Sequence, residues 1–352
     1  ISSIPKVVEG ESDEGGAIQK DAGEFGFIPP RLESVSRGVG SYGSQVAALA
    51  KELLSVDLMP WQVHALSGQL QHAADGNLTH RRALCSVARQ NGKTVALKSL
   101  ILWALLKEPE RRGQPLLVIN TAHSLDLASE IFDALAPMLQ EDFGAKVYWS
   151  YGRQEAKLPD GTRWLVQAAT PKAFHGFSPT YIIADEVWSI SRDVLLNGAL
   201  PSQRVMQSPL LSCWSTAGTE ASLAMLQMRE EGVRAIDESR PSKLYFAEWS
   251  VPPGLDPMTS PDAWPLANPA IGHTLDPEVL ADEAAQVDKS AFLRASLNIW
   301  ISSDRSWLEP GTFDKLQVPE VPAGGVLAVD SSVDESTFCG VRAQKMPDGE
   351  IG

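Results

Sequence analysis

The chain has 352 residues, of which 43% are hydrophobic, and this composition is typical of a globular protein long enough for two domains. Its formal net charge of −14 argues against a generally basic nucleic-acid coat, so any DNA contact must be confined to a local patch. No apolar run is long enough to span a membrane, no signal-peptide pattern opens the chain, and the cysteines and histidines lack metal-ligand spacing. These features favour a reduced cytosolic protein without structural zinc.

The beginning of the chain predicts an arm followed by helices. Residues 1–43 are rich in Gly, Ser, Glu and Pro and have little apolar periodicity, which is typical of an extended or partly disordered segment. From Gln45 apolar residues recur at helical spacing, and a second helix is expected from Pro60. A short apolar run at 83–85 then predicts a strand, and a helical pattern follows it at 95–105.

The middle of the chain alternates between strand and helix patterns. Because strands that alternate with helices form parallel sheets, this part predicts an α/β fold with a mostly parallel sheet flanked by helices. The predicted strands are 116–121, 163–169, 181–186 and 210–218, and the predicted helices are 125–140 and 222–238.

The last hundred residues change in composition. Residues 251–320 are rich in Pro, Asp and Trp, with a helix expected at 277–297, and they predict a lid or linker subdomain between the 44–250 domain and the end of the chain. After a break at 321–325, apolar runs and tight turns predict the opening strands of another sheet over 321–352. The chain begins at Ile1 rather than Met and ends in a strand-like segment, so both ends are expected to be cut.

A phosphate-binding loop is predicted at residues 86–94, which read SVARQNGKT. In such a loop the backbone N–H groups cradle phosphates, Lys93 reaches the β and γ oxygens, and the Thr94 hydroxyl ligates Mg²⁺. The loop departs from the usual pattern because Val87 replaces the first glycine and Arg89 lies inside it. The strand before the loop and the helix after it supply the context that this motif requires.

Two carboxylates follow the apolar strand YIIADE at 181–186. Asp185 is placed to hold a Mg²⁺ shell, and Glu186 is placed to orient an attacking water. Each motif alone is weak, since GKT and a strand ending in Asp-Glu both occur by chance. Together they predict binding and hydrolysis of a nucleoside triphosphate.

Several further short segments, by their order and spacing along the chain, carry a resemblance to a known protein family. They are PWQ at 60–62, HGFSPT at 175–180, STAG at 215–218, WPLANPAIG at 264–272, LNIW at 297–300 and AVDSS at 328–332. With the loop and the acidic strand, they make the chain from about Tyr42 onwards resemble the large terminase subunit of tailed bacteriophages. The resemblance implies an ASCE-type P-loop ATPase that drives DNA into capsids.

The resemblance also implies roles for individual residues. Gln62 matches the adenine-sensing glutamine of that family, with packing of a helix start as the plainer alternative. Residues of the loop itself are expected to contact ATP, namely Arg89, Gln90, Asn91, Gly92, Lys93 and Thr94. Ser215, Thr216 and Ala217 match the family's coupling motif, which links the γ-phosphate to DNA movement. The Trp and Asn-Pro residues of 264–300 are expected to serve packing and turns.

Two arginines are candidates for stabilising phosphate charge. Arg89, inside the loop, is expected to act on the γ-phosphate, as the loop arginine of the family is thought to do. Several relatives place a second arginine where this chain has His175, and imidazole cannot replace a permanently charged guanidinium. Arg204 is therefore the candidate for an arginine that reaches a neighbouring subunit, although a plain surface role fits it nearly as well.

Asp330 ends an apolar strand and resembles the first metal-binding carboxylate of the terminase's RNase H-like nuclease. Two-metal nucleases need several converging carboxylates, and the nearby Asp334 and Glu335 are poor substitutes because they are expected in a turn. We therefore expect Mg²⁺- or Mn²⁺-dependent DNA cleavage only in a longer protein that supplies the other ligands.

The resemblance implies a function and a set of partners. The expected activity is ATP hydrolysis with Mg²⁺, coupled to translocation of double-stranded DNA into a procapsid in the host cytoplasm. The implied partners are a portal protein, a small terminase subunit and further copies of the chain in a ring, a pentamer on the procapsid, with no membrane contact. A helicase or defence-type translocase with the same ATPase core is the main alternative. A small-molecule kinase and a structural capsid component with a vestigial loop are the others.

Overall fold

The computed structural model describes residues 27–35, 37–150, 153–170, 172–252, 255, 257–258, 260–286, 289–301, 326–331 and 338–343. The chain forms two compact units, Ile1–Trp300 and Ile301–Gly352. The predicted arm, ATPase domain, lid and nuclease start are finer divisions than these units and stay predictions.

The helices of the described residues are α1 (Gly43–Leu54), α2 (Pro60–Gln69), α3 (Lys93–Leu106), α4 (Glu108–Arg112), α5 (Leu125–Phe143), α6 (Leu200–Ser202), α7 (Leu223–Asp237), α8 (Pro277–Gln286) and α9 (Lys289–Ala295). The strands are β1 (Leu32–Glu33), β2 (Gly40–Ser41), β3 (Gln71–His72), β4 (Arg82–Ser86), β5 (Leu117–Ala122), β6 (Lys146–Ser150), β7 (Arg153–Lys157), β8 (Arg163–Ala168), β9 (Tyr181–Ala184), β10 (Leu210–Ser215), β11 (Leu244–Glu248), β12 (Val326–Ser331) and β13 (Phe338–Ala343). Short 3₁₀ helices lie at Val187–Ser189 and Pro261–Leu266, and a π-helix lies at Asp193–Ala199.

Among the described residues, nine strands form one sheet in the order β1-β11-β4-β10-β9-β5-β8-β7-β6. Neighbouring strands from β11 to β8 run parallel, while β1 and the hairpin β6–β7 are antiparallel additions at the two edges. The predicted α/β class with a mostly parallel sheet is confirmed. Residues 32–33, within the predicted arm, contribute β1 to this sheet.

Both faces of the sheet are covered, which explains the near-continuous apolar character of its central strands. One face packs on α1, α2, α3 and α5, with the buried side chains Trp61, Trp103, Phe132 and Trp164 between them. The other face packs on the segment from Val187 to Ala199 and on α7, through Phe174, Val194, Met225 and Phe246. All six residues of β10 are buried, as expected for a strand in the middle of such a sheet.

The strand order determines where the predicted motifs meet. β4 leads into the predicted loop and β9 leads into the predicted carboxylates, but β10 lies between them and pairs with both in parallel. The carboxyl ends of parallel strands lie at one edge of a sheet, and ligands bind there in open α/β folds. The loop, the STAG segment and the acidic pair therefore emerge side by side.

The predicted elements agree with the structure to within a few residues in the middle of the chain. The predicted strands 116–121, 163–169, 181–186 and 210–218 correspond to β5, β8, β9 and β10, and the helices 125–140 and 222–238 correspond to α5 and α7. The helix predicted at 277–297 is wrong in extent, since two helices, α8 and α9, occupy this region and α9 ends at Ala295.

The second unit contains an antiparallel pair, β12 with β13, in which Asp330 is registered opposite Cys339. Asp334 and Glu335, which were expected in a turn, lie outside the described residues. In neither unit does any described helix have the length and apolar character needed to cross a bilayer.

Candidate functional site

The predicted loop lies at the carboxyl end of β4 and leads directly into α3, of which Lys93 is the first residue. Gly92 precedes the helix with φ 84°, a conformation that favours glycine. A Cβ at Gly92 would also lie 2.8 Å from Gln62 Nε2 and 2.8 Å from Met59 Cε. The glycine of the motif is therefore required both by the backbone conformation and by close packing against α2.

Lys93 is held inside the loop with 7% of its surface exposed. Its Nζ donates to the carbonyl oxygens of Val87 at 3.4 Å and Ala88 at 3.2 Å, and lies 3.9 Å from Glu186 Oε1. Burial lowers the pKa of Lys93, while the charges of Glu186 and Asp185 oppose that shift. The ammonium group thus lies between the loop carbonyls and the acidic pair.

The acidic pair follows β9 directly. Asp185 donates its backbone N–H to Thr121 at 2.9 Å, and its Oδ1 accepts the N–H of Glu186 at 2.9 Å. Burial, and then the charge of Glu186, raise the pKa of Asp185 to about 6, with Lys93 acting in the opposite direction. Each carboxylate therefore has its backbone held and its acidic side chain close to the Lys93 charge.

Glu186 has a left-handed backbone, with φ 48° and ψ 50°. A long side chain rarely adopts this region, and such outliers concentrate at functional sites. Its Oε2 accepts the indole N–H of Trp188 at 2.8 Å. Sequence reasoning did not single out Trp188, because a tryptophan after an acidic pair carries no motif of its own.

The STAG segment contacts both halves of the site. The carbonyl of Ser215 accepts the N–H of Val87 at 3.0 Å, and its Oγ accepts the N–H of Trp188 at 3.0 Å. Thr216 is buried, and its Oγ1 has no hydrogen-bond partner in the described part of the chain. Ala217 donates its N–H to Asn298 Oδ1 at 2.5 Å. The predicted coupling residues therefore lie between the loop and the carboxylates.

The loop is also fixed to the segment that was predicted as a lid. Asn91 is fully buried and donates from Nδ2 to Asn268 Oδ1 at 2.8 Å, while its Oδ1 accepts the N–H of Ala270 at 3.0 Å. The N–H of Arg89 donates to the carbonyl of Ala295 at 2.8 Å. The side chain of Asn91 thus holds the loop in shape, which leaves phosphate contact to its backbone.

Asn298 extends this attachment to the strands around the loop. It is 1% exposed, has φ 54°, and donates from Nδ2 to the carbonyl of Trp249 at 2.7 Å and to Ser86 Oγ at 3.0 Å. Together with its bond to Ala217, these contacts join the ends of β4, β10 and β11. Asn268 was expected only to serve packing and turns, Asn298 was given no role of its own, and no local pattern could show these distant partners.

The other predicted nucleotide contacts differ in exposure. Gln62 is 1% exposed, its Nε2 donates to the carbonyl of Gly92 at 2.8 Å, and its Oε1 accepts the N–H of Met59 at 2.7 Å. Thr94, Arg89 and Gln90 are exposed. Arg89 and Gln90 line an open cleft of about 240 Å³ against α8 and α9. The amide of Gln62 supports the loop, and its predicted adenine contact stays a prediction.

The structure does not bring Arg204 to this site. Arg204 is exposed next to Gln203, whose amide donates to the carbonyls of Thr180 and Leu210. These carbonyls lie at the amino ends of β9 and β10, the edge opposite the loop, so Arg204 is far from the phosphate loop of its own subunit. Asp330 belongs to the second unit, where only its backbone is described.

The chain is similar in structure to phage proteins that include the following two. The large terminase of bacteriophage HK97 matches with a TM-score of 0.62 at 20% identity, over 88% of this chain and 66% of that protein. The chain has the fold of a large terminase. The large terminase ATPase domain of Thermus phage P74-26 matches with a TM-score of 0.50 at 15% identity, over 71% of this chain and 97% of that domain.

These similarities confirm the predicted terminase-like architecture. The chain spans 66% of the length of the HK97 large terminase. No protein-family model matches the sequence, and no curated protein matches it either.

Proposed function

We propose that the chain is an ATPase that drives double-stranded viral DNA into procapsids. The observation that carries the proposal is the meeting of Lys93, Asp185 and Glu186 at one sheet edge, with Lys93 Nζ 3.9 Å from Glu186 Oε1 and the STAG segment between their strands. Phosphoryl transfer needs a lysine for phosphate charge and a carboxylate for the attacking water. The fold shared with phage large terminases supports the packaging role.

In this reaction Lys93 would exchange its contact with the loop carbonyls for the β and γ oxygens of ATP. Glu186 Oε1 would accept the hydrogen bond of the attacking water and orient it towards the γ-phosphorus. Arg89, which is exposed at the mouth of the loop, would stabilise the charge that develops on the γ-phosphate. The hydrogen bonds of Ser215 with Val87 and Trp188 would couple this charge change to the phosphate loop and to the segment after the acidic pair.

The donors at this edge suit Mg²⁺. In the described residues no group of three or more His, Cys, Asp or Glu side chains forms a metal cage of its own. Mg²⁺ keeps several waters and binds through one or two protein oxygens plus phosphates, so the Thr94 hydroxyl and the Asp185 carboxylate fit it. When bound with ATP, Mg²⁺ would neutralise phosphate charge.

The proposal is tested by nucleotide turnover. Lys93→Ala should weaken ATP binding or turnover, because Lys93 binds the phosphates. Glu186→Gln should keep binding and lose hydrolysis, because the Glu186 carboxylate orients the attacking water. Lys98→Ala, in the same helix but beyond the loop, is the matched control and should retain both properties. Wild-type turnover in Glu186→Gln would refute the assignment of the catalytic carboxylate.

DNA dependence separates packaging from the main alternative. Duplex DNA should stimulate ATPase without strand separation, and a helicase would instead unwind the duplex. The proposed partners, namely a ring of copies, a portal protein and a small terminase subunit, require assembly with procapsids, where ATP-dependent protection of DNA from added nuclease is the readout. Cleavage of DNA is proposed only for a longer protein that supplies metal ligands in addition to Asp330.

A further inference from the structure

Trp188 lies at the junction of three parts of the candidate site. Its indole N–H donates to Glu186 Oε2 at 2.8 Å, and its backbone N–H donates to Ser215 Oγ at 3.0 Å. The guanidinium carbon of Arg294, on α9, lies 4.7 Å from the centre of its indole ring. One residue therefore contacts the carboxylate and the predicted lid segment through its side chain and the STAG strand through its backbone.

The bond to Glu186 has a direct consequence for the orientation of the carboxylate. A glutamate side chain has three rotatable bonds, and an unattached carboxylate would sample many positions. The indole N–H fixes Oε2, and the left-handed backbone fixes the starting direction of the side chain. The other oxygen, Oε1, is left facing Lys93 at 3.9 Å, on the side where a phosphate would bind.

Arg294 holds the indole from its outer face. It is 9% exposed, and a cation over a tryptophan ring is attracted more strongly when both are removed from water. The next residue, Ala295, accepts the N–H of Arg89 from the loop. The end of α9 thus contacts the phosphate loop and, through Trp188, the carboxylate.

We propose that Trp188 is a positioning residue that holds Glu186 in its water-orienting geometry, and that Arg294 fixes Trp188 in turn. This inference rests on the proposed ATPase function. It assigns a role in hydrolysis to two residues that do not contact the nucleotide.

The test is the steady-state ATPase of Trp188→Phe, which keeps an aromatic face for Arg294 and removes the N–H. We expect kcat to fall about tenfold, equivalent to about 1.4 kcal/mol, with KM for ATP within about twofold of wild type, because the bond acts on the water and not on the nucleotide. Trp149→Phe, at the exposed edge strand β6, is the matched control and should leave both constants unchanged.

Arg294→Met supplies a second variant that leaves Trp188 intact. It should lower kcat less than Trp188→Phe, and the double variant should resemble Trp188→Phe alone, because both changes act through the same carboxylate. Additive losses, or a raised KM in Arg294→Met, would overturn the role of Arg294 and place it on the phosphates instead.

The outcomes also separate this inference from the proposed function. If wild type hydrolyses ATP and Glu186→Gln abolishes the reaction, a wild-type kcat in Trp188→Phe overturns the positioning role alone. A parallel loss of kcat, ATP affinity and thermal stability would show a merely structural role and overturn it too. If wild type shows no hydrolysis that depends on Glu186, both proposals fall.

Discussion

Replacement of Asn298 by alanine should destabilise the first unit strongly, because this side chain joins three strand ends in the core. The amide accepts the N–H of Ala217 and donates to the carbonyl of Trp249, and both partners are buried. A buried backbone group left without its partner costs about 1 to 3 kcal/mol. Alanine at φ 54° adds about 1 kcal/mol, because asparagine tolerates the left-handed region better than alanine does.

Two unpaired backbone groups and the backbone conformation together give an expected loss of about 3 to 7 kcal/mol, a large part of the roughly 5 to 15 kcal/mol by which a typical protein is stable. Urea unfolding followed by circular dichroism measures it. Asn298→Gly separates the two contributions, because glycine removes the hydrogen bonds but accepts the backbone conformation, and it should cost about 1 kcal/mol less than alanine. Losses below about 1 kcal/mol in both variants, or a glycine variant less stable than the alanine variant, would refute the reasoning.

Two further predictions concern pH and packing. Burial lowers the pKa of His80 to about 4, so the unfolded chain binds a proton that the folded chain excludes, and stability should fall as pH drops from about 6.5 to 4. At pH 5 the protonation of His80 in the unfolded chain lowers the free energy of unfolding by about 2 kcal/mol. His80→Leu should remove that part of the pH dependence in thermal unfolding curves. Equal pH dependence in both proteins would contradict the prediction. Gly68→Ala should lose about 1 to 3 kcal/mol, because the added Cβ would clash with the buried ring of Tyr245. Gly113→Ala, where a Cβ meets nothing within 4 Å but φ is 65°, should lose only about 1 kcal/mol by the same urea assay.

The central elements of the fold were predictable because their patterns are local. β9 is a continuous apolar run, β10 is mostly apolar, and α5 repeats its buried side chains at helical spacing. The hairpin β6–β7 and the strand β11 were missed. The hairpin carries charged and aromatic residues and β6 is mostly exposed, so neither of its strands shows a clear apolar pattern. Five-residue β11 is too short for its period to separate a strand from a helix.

The candidate site was predictable in its residue types but not in its supports. The apolar runs before the two motifs were enough to place Lys93 in a loop after one strand and Asp185 and Glu186 at the end of another. Asn268 meets Asn91 across 177 residues of sequence, and no periodicity reports a contact of that kind. Tertiary hydrogen bonds of buried amides depend on the whole packed structure, so the residues that hold the loop in place are seen only in the folded protein.

Strand β10 lies between β4 and β9, and its position sets the distance between the phosphate loop and the acidic pair. Neighbouring strands lie about 4.8 Å apart, so the axes that carry the loop and the carboxylates are separated by about 10 Å. Adjacent strands would leave room for little more than a single ion. A separation of two strand spacings leaves room for a terminal phosphate, with a hydrated cation on one side of it and a water molecule on the other. Because five residues of β4 and four of β9 are registered against β10, this distance is set by the pairing of the strands and not by the loops that follow them.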